Sequence, residues 1–347
     1  MEKDLFQIVG VDVSNAHLVG TIARSVYGED YPVEYVYQPD VICREIEAGR
    51  LISVLAIDGN GQAIGYGSMV KVAPNPRIWE VESIVVAPEY AQTDGSFRLA
   101  DYCADLLKFQ LADTDGFYAE LVCCNRFTQF AAAKRGVFSC ALQLDQLDGE
   151  SFKDRKSNQT GAARVSCILC FWEKAKPLEE HEYVPEPYNK IVGHITDQLY
   201  PRIIIPSTEK LPTDGITDMT EKYFPPAQIM AVDITSIGRD WVMVVEDILN
   251  KAEKHRIISL QVTLNMACPW IGAAVEIMRA KGFFFGGVAP RWFGTDGLFM
   301  QKLSGSVTEY DKIKIYTKTA KKILAFIISD RKYKFYLSCS DSQLTPK

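Results

Sequence analysis

The sequence predicts an α/β protein built on a mixed sheet, with a second, smaller domain of the same kind. Strand-like segments rich in β-branched residues alternate with amphipathic helical segments over most of the chain. A strand, a glycine-containing turn and a helix follow one another without interruption between residues 81 and 109. The strand–helix–strand–helix–strand pattern of residues 81–144 recurs in part after residue 228, which predicts an internal repeat.

Length and charge limit the classes of protein that this chain can belong to. Its 347 residues are enough for about two domains. A formal net charge of −6 argues against nucleic acid or an anionic membrane surface as the main partner. No apolar run is long enough to span a bilayer, and the amino terminus carries acidic residues where a signal peptide would be basic. These features predict a cytoplasmic protein that binds neither nucleic acid nor membranes.

The first half of the chain is predicted to contain seven strands and four helices. The strands are placed at residues 5–13, 51–57, 63–72, 79–86, 116–123, 138–144 and 163–173, and the helices at 14–27, 40–49, 98–111 and 127–135. Residues 58–61, Asp-Gly-Asn-Gly, are a strong hairpin signal between the second and third strands. Ser14 or Asn15 is expected to cap the first helix, and Asp40 the second, which ends at Gly49.

The second half is predicted to repeat part of this pattern after a connection at residues 187–213. Strands are placed at residues 228–235, 257–263, 283–288 and 298–303, with helices at 239–254 and 271–281. The two copies align at residues 134–138 and 280–284. A helical piece at 188–199 lies within the connection, and a lysine-rich packing helix is predicted over residues 312–330.

Cysteine usage predicts neither a disulfide framework nor a metal site. The count is odd, nine in all, which favours reduced thiols. Cys167 and Cys170 form a CxxC within a predicted strand, where residues three apart point to opposite faces. No second cysteine pair or nearby histidine completes a metal-binding set. We therefore expect these thiols to pack in the core.

Residues 92–97 lie where a helix amino terminus favours an anionic group. Their sequence, Gln-Thr-Asp-Gly-Ser-Phe, resembles the Q/R-x-x-G-x-G/A turn with which the GNAT superfamily of N-acetyltransferases holds the pyrophosphate of acetyl-CoA. Gln92 and Gly95 match the pattern, whereas Phe97 replaces a glycine or alanine. Asp94 is a second departure, because a carboxylate repels a phosphate.

The order of the predicted elements, β-α-α-β-β-β-α-β-α-β-β over residues 5–175, also resembles the GNAT fold. Asn125, Lys134 and Gly136 match the family pattern around the fourth helix, but Ala132 stands where many relatives have a tyrosine general acid. The resemblance implies a GNAT domain at residues 1–178, a linker at 179–213, a degenerate GNAT-like domain at 214–303 and a helical tail at 304–347. The turn of the second copy, residues 235–239, lacks the spacing for pyrophosphate.

The resemblance also implies which residues bind acetyl-CoA or another acyl-CoA. Backbone groups of the fourth strand would meet the pantetheine arm, turn residues would hold the pyrophosphate, and a further side chain would reach the arm. In that order the implied residues are Ile84, Val85 and Val86; Gln92, Thr93, Asp94, Gly95, Ser96 and Phe97; and Asn125.

Glu80 and Glu82 lie two residues apart on the fourth strand, where GNAT relatives place a catalytic glutamate. Such a carboxylate would be the general base for an amine. The alternative is that both side chains face solvent at the edge of the sheet. Tyr31, Tyr35 and Tyr37 fall in the acceptor-facing loop of relatives and are expected to line the substrate pocket or to cover the core.

These features predict an acyl-CoA-dependent N-acyltransferase acting by direct attack of an amine on the thioester. Its acceptor would be a small molecule or a peptide amine, and the chain could pair as a homodimer. The alternative is a CoA-binding pseudoenzyme that acts as a sensor or interaction module, as the departures at Asp94, Phe97 and Ala132 suggest. A different acyl donor is a third possibility, because Phe97 would reshape the cleft.

Overall fold

A computed structural model describes residues 6–29, 31, 33–90, 95–149, 161–174, 177–305 and 307–341. The chain forms two compact units, residues 1–120 and 121–347. The division follows packing and not the internal repeat, so the four-part domain scheme stays a prediction. Gln92, Thr93 and Asp94 of the predicted pyrophosphate turn lie outside the described residues, as does the side chain of Ser96.

The first unit is a five-stranded mixed sheet with three α-helices. Its strands follow the order β1-β2-β3-β4-β5, antiparallel except for the parallel pair β4–β5. The strands are β1 Phe6–Gly10, β2 Leu51–Asp58, β3 Ala63–Val70, β4 Ile78–Val86 and β5 Gly116–Val122, the last crossing into the second unit. The helices are α1 His17–Tyr27, α2 Pro39–Glu47 and α3 Gly95–Asp105, which continues as a π-helix over Leu106–Gln110.

Local turn chemistry explains most of these boundaries. Asp58 Oδ1 accepts from the backbone N–H groups of Asn60 and Gln62, at 2.9 and 2.8 Å, which closes the predicted hairpin. Gly49 ends α2 with a φ of +66°, a conformation that glycine adopts without strain. The predicted caps of α1 are wrong, because the helix begins only at His17 and Asn15 Oδ1 instead accepts from Asp12 N at 2.8 Å.

The start of α2 also differs from the sequence prediction. Pro39, and not a residue after Asp40, is the first helical position, and Gln38 precedes it without a side-chain cap. Proline suits this position because its fixed φ is helical and its missing N–H would be unpaired there anyway. The start of α2 is therefore set by the proline at its first position and not by a capping side chain at Asp40.

Helices cover both faces of the first sheet. The face that carries α1 and α2 holds the main apolar cluster, which includes Ile22, Ile42 and Leu55. On the other face, Gly65 and Gly67 of β3 let α3 approach closely: a Cβ on Gly67 would lie 2.9 Å from the Cys103 Sγ. The missing side chain on Gly67 therefore sets the distance between α3 and the sheet.

The second unit is a seven-stranded sheet in the order β7-β6-β13-β14-β12-β11-β10, with a separate parallel pair β8–β9. The strands are β6 Phe138–Asp148, β7 Arg164–Glu173, β8 His181–Val184, β9 Ile203–Pro206, β10 Asp218–Phe224, β11 Ile229–Ser236, β12 Ser259–Asn265, β13 Phe284–Ala289 and β14 Gly297–Leu303. The helices are α4 Phe127–Lys134, α5 Asn189–Thr196, α6 Trp241–Lys254, α7 Ile271–Ala280 and α8 Lys318–Asp341. In the described part of the chain, no helix combines the length and apolarity needed to cross a bilayer.

The predicted internal repeat is visible in the order of elements. The run β11-α6-β12-α7-β13-β14 repeats the run β4-α3-β5-α4-β6-β7 along the chain. Within the second unit, β11 and β12 are parallel, and β14 lies between β12 and β13. Three strands were not predicted: β8, just before the predicted connection at residues 187–213, β9, within it, and β10. β10 reads Asp-Met-Thr-Glu-Lys-Tyr-Phe and lies at the edge of the sheet, so it has no buried apolar pattern to reveal it.

Cys167 and Cys170 are buried free thiols in β7. The Cys170 Sγ lies 3.6 Å from the Ser139 Oγ of the neighbouring strand. Burial raises the pKa of Cys170 to about 12, so this thiol stays protonated. Among the described residues, no three histidine, cysteine or acidic side chains are arranged to hold a metal ion.

A buried ionic network lies in the second unit near one end of its sheet. Arg202 donates to both oxygens of Glu173, each at 2.8 Å, and to both oxygens of Asp296, at 2.9 and 3.1 Å. Arg291 pairs with Glu173, and Asp296 N donates to Glu182 Oε1 at 2.7 Å. Burial, together with the charge of Asp296, raises the pKa of Glu182 to about 9.

Candidate active site

The parallel strands β4 and β5 separate after a short ladder. They pair at Ile78–Gly116, Trp79–Phe117 and Glu80–Tyr118, and no further pair joins them in the described part of the chain. The other edge of β4 stays paired with β3 as far as Val86. The point of separation, called the fork below, therefore leaves one edge of residues 81–86 outside any ladder of the first unit.

A β-bulge lies at the fork and sets the direction of Glu82. Ser83 pairs with Ser68 of β3, but the next pair is Val81–Met69, so Glu82 is the extra residue. A bulge redirects side chains and increases the local twist, and bulges occur often beside active sites. Glu82 consequently points to the same side as Ser68, whose Oγ donates to Glu82 Oε2 at 3.3 Å.

Tyrosine hydroxyl groups complete the surroundings of this carboxylate. Tyr35 Oη also donates to Glu82 Oε2, and Tyr31 Oη lies 2.8 Å from Ser83 Oγ. Tyr35 belongs to a 3₁₀ turn, Glu34–Tyr37, that fully buried Val36 anchors to the core. Of the three tyrosines expected near the acceptor, Tyr31 and Tyr35 thus contact the fork, whereas Tyr37 donates to Gly28 O at 2.8 Å.

Burial raises the pKa of Glu82 above its ordinary range. The hydrogen bonds from Tyr35 and Ser68 oppose this rise because they stabilise the ionised form, and the negative charge of Glu120 adds to it. Burial also raises the pKa of Tyr35 far above its ordinary value, so its hydroxyl stays a donor at any physiological pH. A carboxylate whose pKa is raised is a stronger base than an ordinary glutamate.

Glu80 and Glu82 have different partners, although the sequence placed them together. Glu80 Oε2 accepts from Tyr118 Oη across the ladder, at 2.9 Å. The negative charge that acts on Glu82 is that of Glu120 on β5, two residues beyond Tyr118. The alternative in which both glutamates face solvent does not describe Glu82, which is half-buried and bonded to Tyr35 and Ser68.

The residues implied to bind acyl-CoA are only partly described. Ile84, Val85 and Val86 lie on β4 beyond the fork and pair with Gly67, Tyr66 and Gly65 of β3. Gly95 begins α3, and Phe97 is half-buried in its first turn. The preceding residues Gln92, Thr93 and Asp94 lie outside the described residues. Their cofactor roles stay predictions.

Asn125 and Ala132 belong to the second unit. Asn125 Oδ1 accepts from Phe127 N at 2.9 Å, at the beginning of α4, which gives this side chain a structural role. Ala132 is half-buried on α4 and supplies no acid group. A binding role for Asn125 stays a prediction.

In the second copy, the turn that corresponds to the pyrophosphate turn is filled by the chain itself. Gly238 N donates to Thr217 Oγ1 at 3.0 Å, and Arg239 N donates to Asp214 O at 3.2 Å. Asp240 Oδ1 in turn accepts from Thr217 N at 2.8 Å. The backbone groups that would face an anion at this turn are therefore bonded to residues 214–217.

The second copy also has no fork over the equivalent stretch. β11 and β12 stay paired from Ile229–Ser259 to Ile234–Leu264, six pairs in all, against three in the first copy. Asp233 lies four residues after Ile229, the first paired residue of β11. Glu82 lies four residues after Ile78, the first residue of β4 that pairs with β5, so the two positions correspond. Trp292 Nε1 donates a hydrogen bond to Asp233 Oδ1 at 2.6 Å, so this carboxylate already has a partner within the second unit.

Sequence reasoning missed Ser68, Ser83 and Glu120 as parts of this site. The two serines are isolated polar residues within apolar strands, and only the strand register brings them together. Glu120 lies in a strand predicted correctly, but its distance from Glu82 depends on how the two strands separate. A polar residue inside an apolar strand is the one sequence signal that could have drawn attention to the serines.

Comparisons with known proteins give structural likenesses only. No protein-family model and no curated protein matches the sequence. The ribosomal-protein-S5-alanine acetyltransferase of Vibrio fischeri is similar over 51% of this chain and 97% of its own, with 14% identity and a TM-score of 0.40. A spermidine N-acetyltransferase of Vibrio cholerae is similar over 50% of this chain and 96% of its own, with 12% identity and a TM-score of 0.39.

A third solved structure, from Desulfovibrio desulfuricans, is assigned to the GNAT family of acetyltransferases. It is similar over 48% of this chain and 98% of its own, with 16% identity and a TM-score of 0.36. The strand register supports the fold class independently of these likenesses. The element order from β1 to β7 is the predicted one, and a bulged fourth strand parts from a parallel fifth strand. The fold class predicted from the sequence, a mixed α/β sheet with the order β-α-α-β-β-β-α-β-α-β-β over its first half, is confirmed.

Proposed function

We propose that this chain is a cytoplasmic acyl-CoA-dependent N-acyltransferase that acts on a small-molecule or peptide amine. The observation that carries the proposal is the combination of an open strand edge with a desolvated carboxylate at the fork. Acetyl transfer to an amine needs both an ordered acyl donor and a base. The homodimer stays a prediction beside this proposal.

The open edge of β4 fits an acyl-CoA arm because of its backbone groups. Val81 and residues 83–86 pair with β3 on one edge, so alternate N–H and C=O groups of residues 83–86 on the other edge point toward the fork. An extended ligand with amide groups binds such an edge as an added strand does. Acyl-CoA would supply a thioester, whose carbonyl is activated toward nucleophiles.

In the proposed reaction, Glu82 accepts a proton from the ammonium group of the acceptor, directly or through one water. The neutral amine then forms the new C–N bond with the thioester carbonyl carbon, and the C–S bond breaks. Tyr35 and Ser68 hold the Glu82 carboxylate in place, each through a hydrogen bond to Oε2. The departing thiolate takes its proton from solvent or from the amine, since Ala132 supplies none.

Calorimetry with acetyl-CoA and thiol release with a panel of amines test this proposal. We expect acetyl-CoA to bind with a micromolar dissociation constant, on the order of the usual substrate range, and to release CoA only when an amine is present. As a control, desulfo-CoA should bind without turnover. Absence of both heat and thermal stabilisation with acetyl-CoA would contradict the proposal, and binding without turnover on any amine would favour the pseudoenzyme.

The pH dependence of kcat/KM should respond in opposite directions to two substitutions beside Glu82. Tyr35→Phe removes a hydrogen bond that stabilises the carboxylate, so the pKa of Glu82 rises and the acid limb moves to higher pH. Glu120→Gln removes a negative charge that raises this pKa, so the limb moves to lower pH. Each shift should be about half a pH unit or more.

The control is Glu47→Gln, which removes the same charge from an exposed position on α2. Its acid limb should coincide with that of the unmodified protein. Movement of the limb in the same direction for Tyr35→Phe and Glu120→Gln would show that Glu82 is not the group being titrated.

A further inference from the structure

Three serines lie side by side across the first sheet, next to Glu82. Ser53 of β2 pairs with Ser68 of β3, and Ser68 pairs with Ser83 of β4. Directly opposed residues point to the same face of a sheet, so their hydroxyl groups form a line, called the serine row below. The three residues are 4%, 0% and 1% exposed. Buried hydroxyl groups in a sheet need polar partners, because they are removed from bulk water.

One end of the serine row has such partners. Ser83 Oγ lies 2.8 Å from Tyr31 Oη, and Ser68 Oγ donates to Glu82 at 3.3 Å. A hydroxyl group that donates one hydrogen bond keeps its oxygen lone pairs as acceptors. Ser68 can therefore receive a hydrogen bond from the opposite side while it donates to the carboxylate.

The other end of the row contains two buried hydroxyl groups that lack a partner in the described part of the chain, Tyr66 Oη and Ser53 Oγ. Tyr66 is 1% exposed and lies on β3 two residues before Ser68, on the same face. The pKa of Tyr66 is raised to about 12, chiefly by burial and also by the charge of Glu82, and the nearby hydroxyls of Ser53, Ser68 and Tyr35 oppose this rise. The Tyr66 hydroxyl thus points into the serine row and toward Glu82.

A water molecule fits the chemistry of this end of the row. Buried water typically makes about two to four hydrogen bonds to polar groups that lack other partners. Tyr66, Ser53 and Ser68 offer three hydroxyl groups on one face of adjacent strands. Hydrogen bonds in such a chain polarise one another, so a donor at one end strengthens the donor at the other.

We propose that Tyr66 is a positioning residue for Glu82, which it stabilises through the serine row and a water held with Ser53. In this arrangement the hydroxyl of Tyr66 donates into the row, and the Ser68 hydroxyl becomes a stronger donor to the ionised carboxylate. A role of Tyr66 in catalysis rests on the proposed function. Its effect on the ionisation of Glu82 does not. The other titratable groups that face Glu82 are Tyr35 of the 3₁₀ turn, Glu120 of β5, and Tyr31, which precedes the 3₁₀ turn.

The test is the titration of Glu82 in full-length protein with ¹³C-labelled glutamate, followed by NMR and assigned with Glu82→Gln. Tyr66→Phe should raise the titration midpoint of Glu82 by about half a pH unit, because the serine row loses the donor at the end away from Glu82. Ser53→Ala should raise it in the same direction by less. Tyr102→Phe on α3 is the matched control and should leave the midpoint unchanged.

An unchanged Glu82 midpoint in Tyr66→Phe overturns the proposal. A shift in Tyr66→Phe with no shift in Ser53→Ala also overturns it, because the serine row would then not be involved. Both variants keep the size of the core, and circular dichroism checks that they fold. The titration needs no turnover, so it is independent of the acyltransferase test. Loss of acyl transfer with the expected midpoints would refute only the proposed function.

Discussion

Replacing Glu82 with glutamine is expected to lower kcat for acetyl transfer roughly 10²- to 10³-fold, because the amide cannot accept a proton from the amine. Glutamine has the same shape, and its amide oxygen can still accept from Tyr35 and Ser68. Acetyl-CoA affinity should stay within about twofold, since the acyl donor is bound by backbone groups of β4 and not by this carboxylate. Single-turnover kinetics and calorimetry on the same preparation measure the two effects separately.

The matched control is Glu80→Gln, two residues earlier on the same strand. Glu80 accepts from Tyr118 and lies before the fork, so its loss should cost less than about tenfold in kcat. Equal losses in the two variants, with unchanged thermal unfolding, would contradict the assignment of Glu82 as the base. Full activity in Glu82→Gln would contradict the assignment of Glu82 as the base. The serine row would then have no role in catalysis.

Most of the fold was predictable because the signals for it are local. The hairpin at residues 58–61 follows from turn chemistry, and the repeat in the second unit from the alternation of strand and helix patterns. β8, β9 and β10 were missed because short or edge strands bury little apolar surface and carry no strong periodicity. The predicted caps of the two helices were wrong for different reasons. The Asn15 side chain closes a local turn with Asp12 before α1, and Pro39 starts α2.

The site was predictable only in part, because its geometry depends on strand register. The sequence indicated Glu82 and, as one alternative, Tyr31 and Tyr35 near the acceptor. A bulge, however, cannot be read from residues 81–86, whose pattern is that of a regular strand. The bulge gives Glu82 its contact with Ser68, and the register of β4 against β5, in which Glu80 pairs with Tyr118, makes Glu120 its charged neighbour. Both are properties of paired strands and of neither strand alone.

The two copies of the repeat differ at the two features that would matter for an acyl donor. The first copy has a fork after three strand pairs, and the second stays paired over six. At the second turn, a Cβ on Gly238 would lie 2.5 Å from the backbone of Ile216, so the chain packs directly against the helix start. Residues 214–217 therefore occupy the space at the second turn that an anion would need.

Replacing Arg202 with methionine is expected to lower the free energy of unfolding of the second unit by about 3–5 kcal/mol, because Asp296 would stay buried without this cation and Glu173 would keep only Arg291. The side chains of Arg202, Glu173 and Asp296 are 1%, 2% and 0% exposed, so water cannot replace the lost bonds. Arg202→Lys should recover only part of the loss, since an ammonium group cannot donate to both carboxylates in the planar geometry of a guanidinium. Urea unfolding measures the change through Trp172, Trp241, Trp270 and Trp292, all within residues 121–347.

Lys251→Met provides the matched control in the same unit. Lys251 pairs with Glu221 and Asp247, but its side chain is 35% exposed, and solvent screens such a pair. Its loss should lower the free energy of unfolding by less than about 1 kcal/mol. If Arg202→Met and Lys251→Met moved the urea midpoint equally at an unchanged slope, the buried network would contribute no more than a surface ion pair. The stability of the second unit would then depend on its apolar core alone, and its charged cluster would need another explanation.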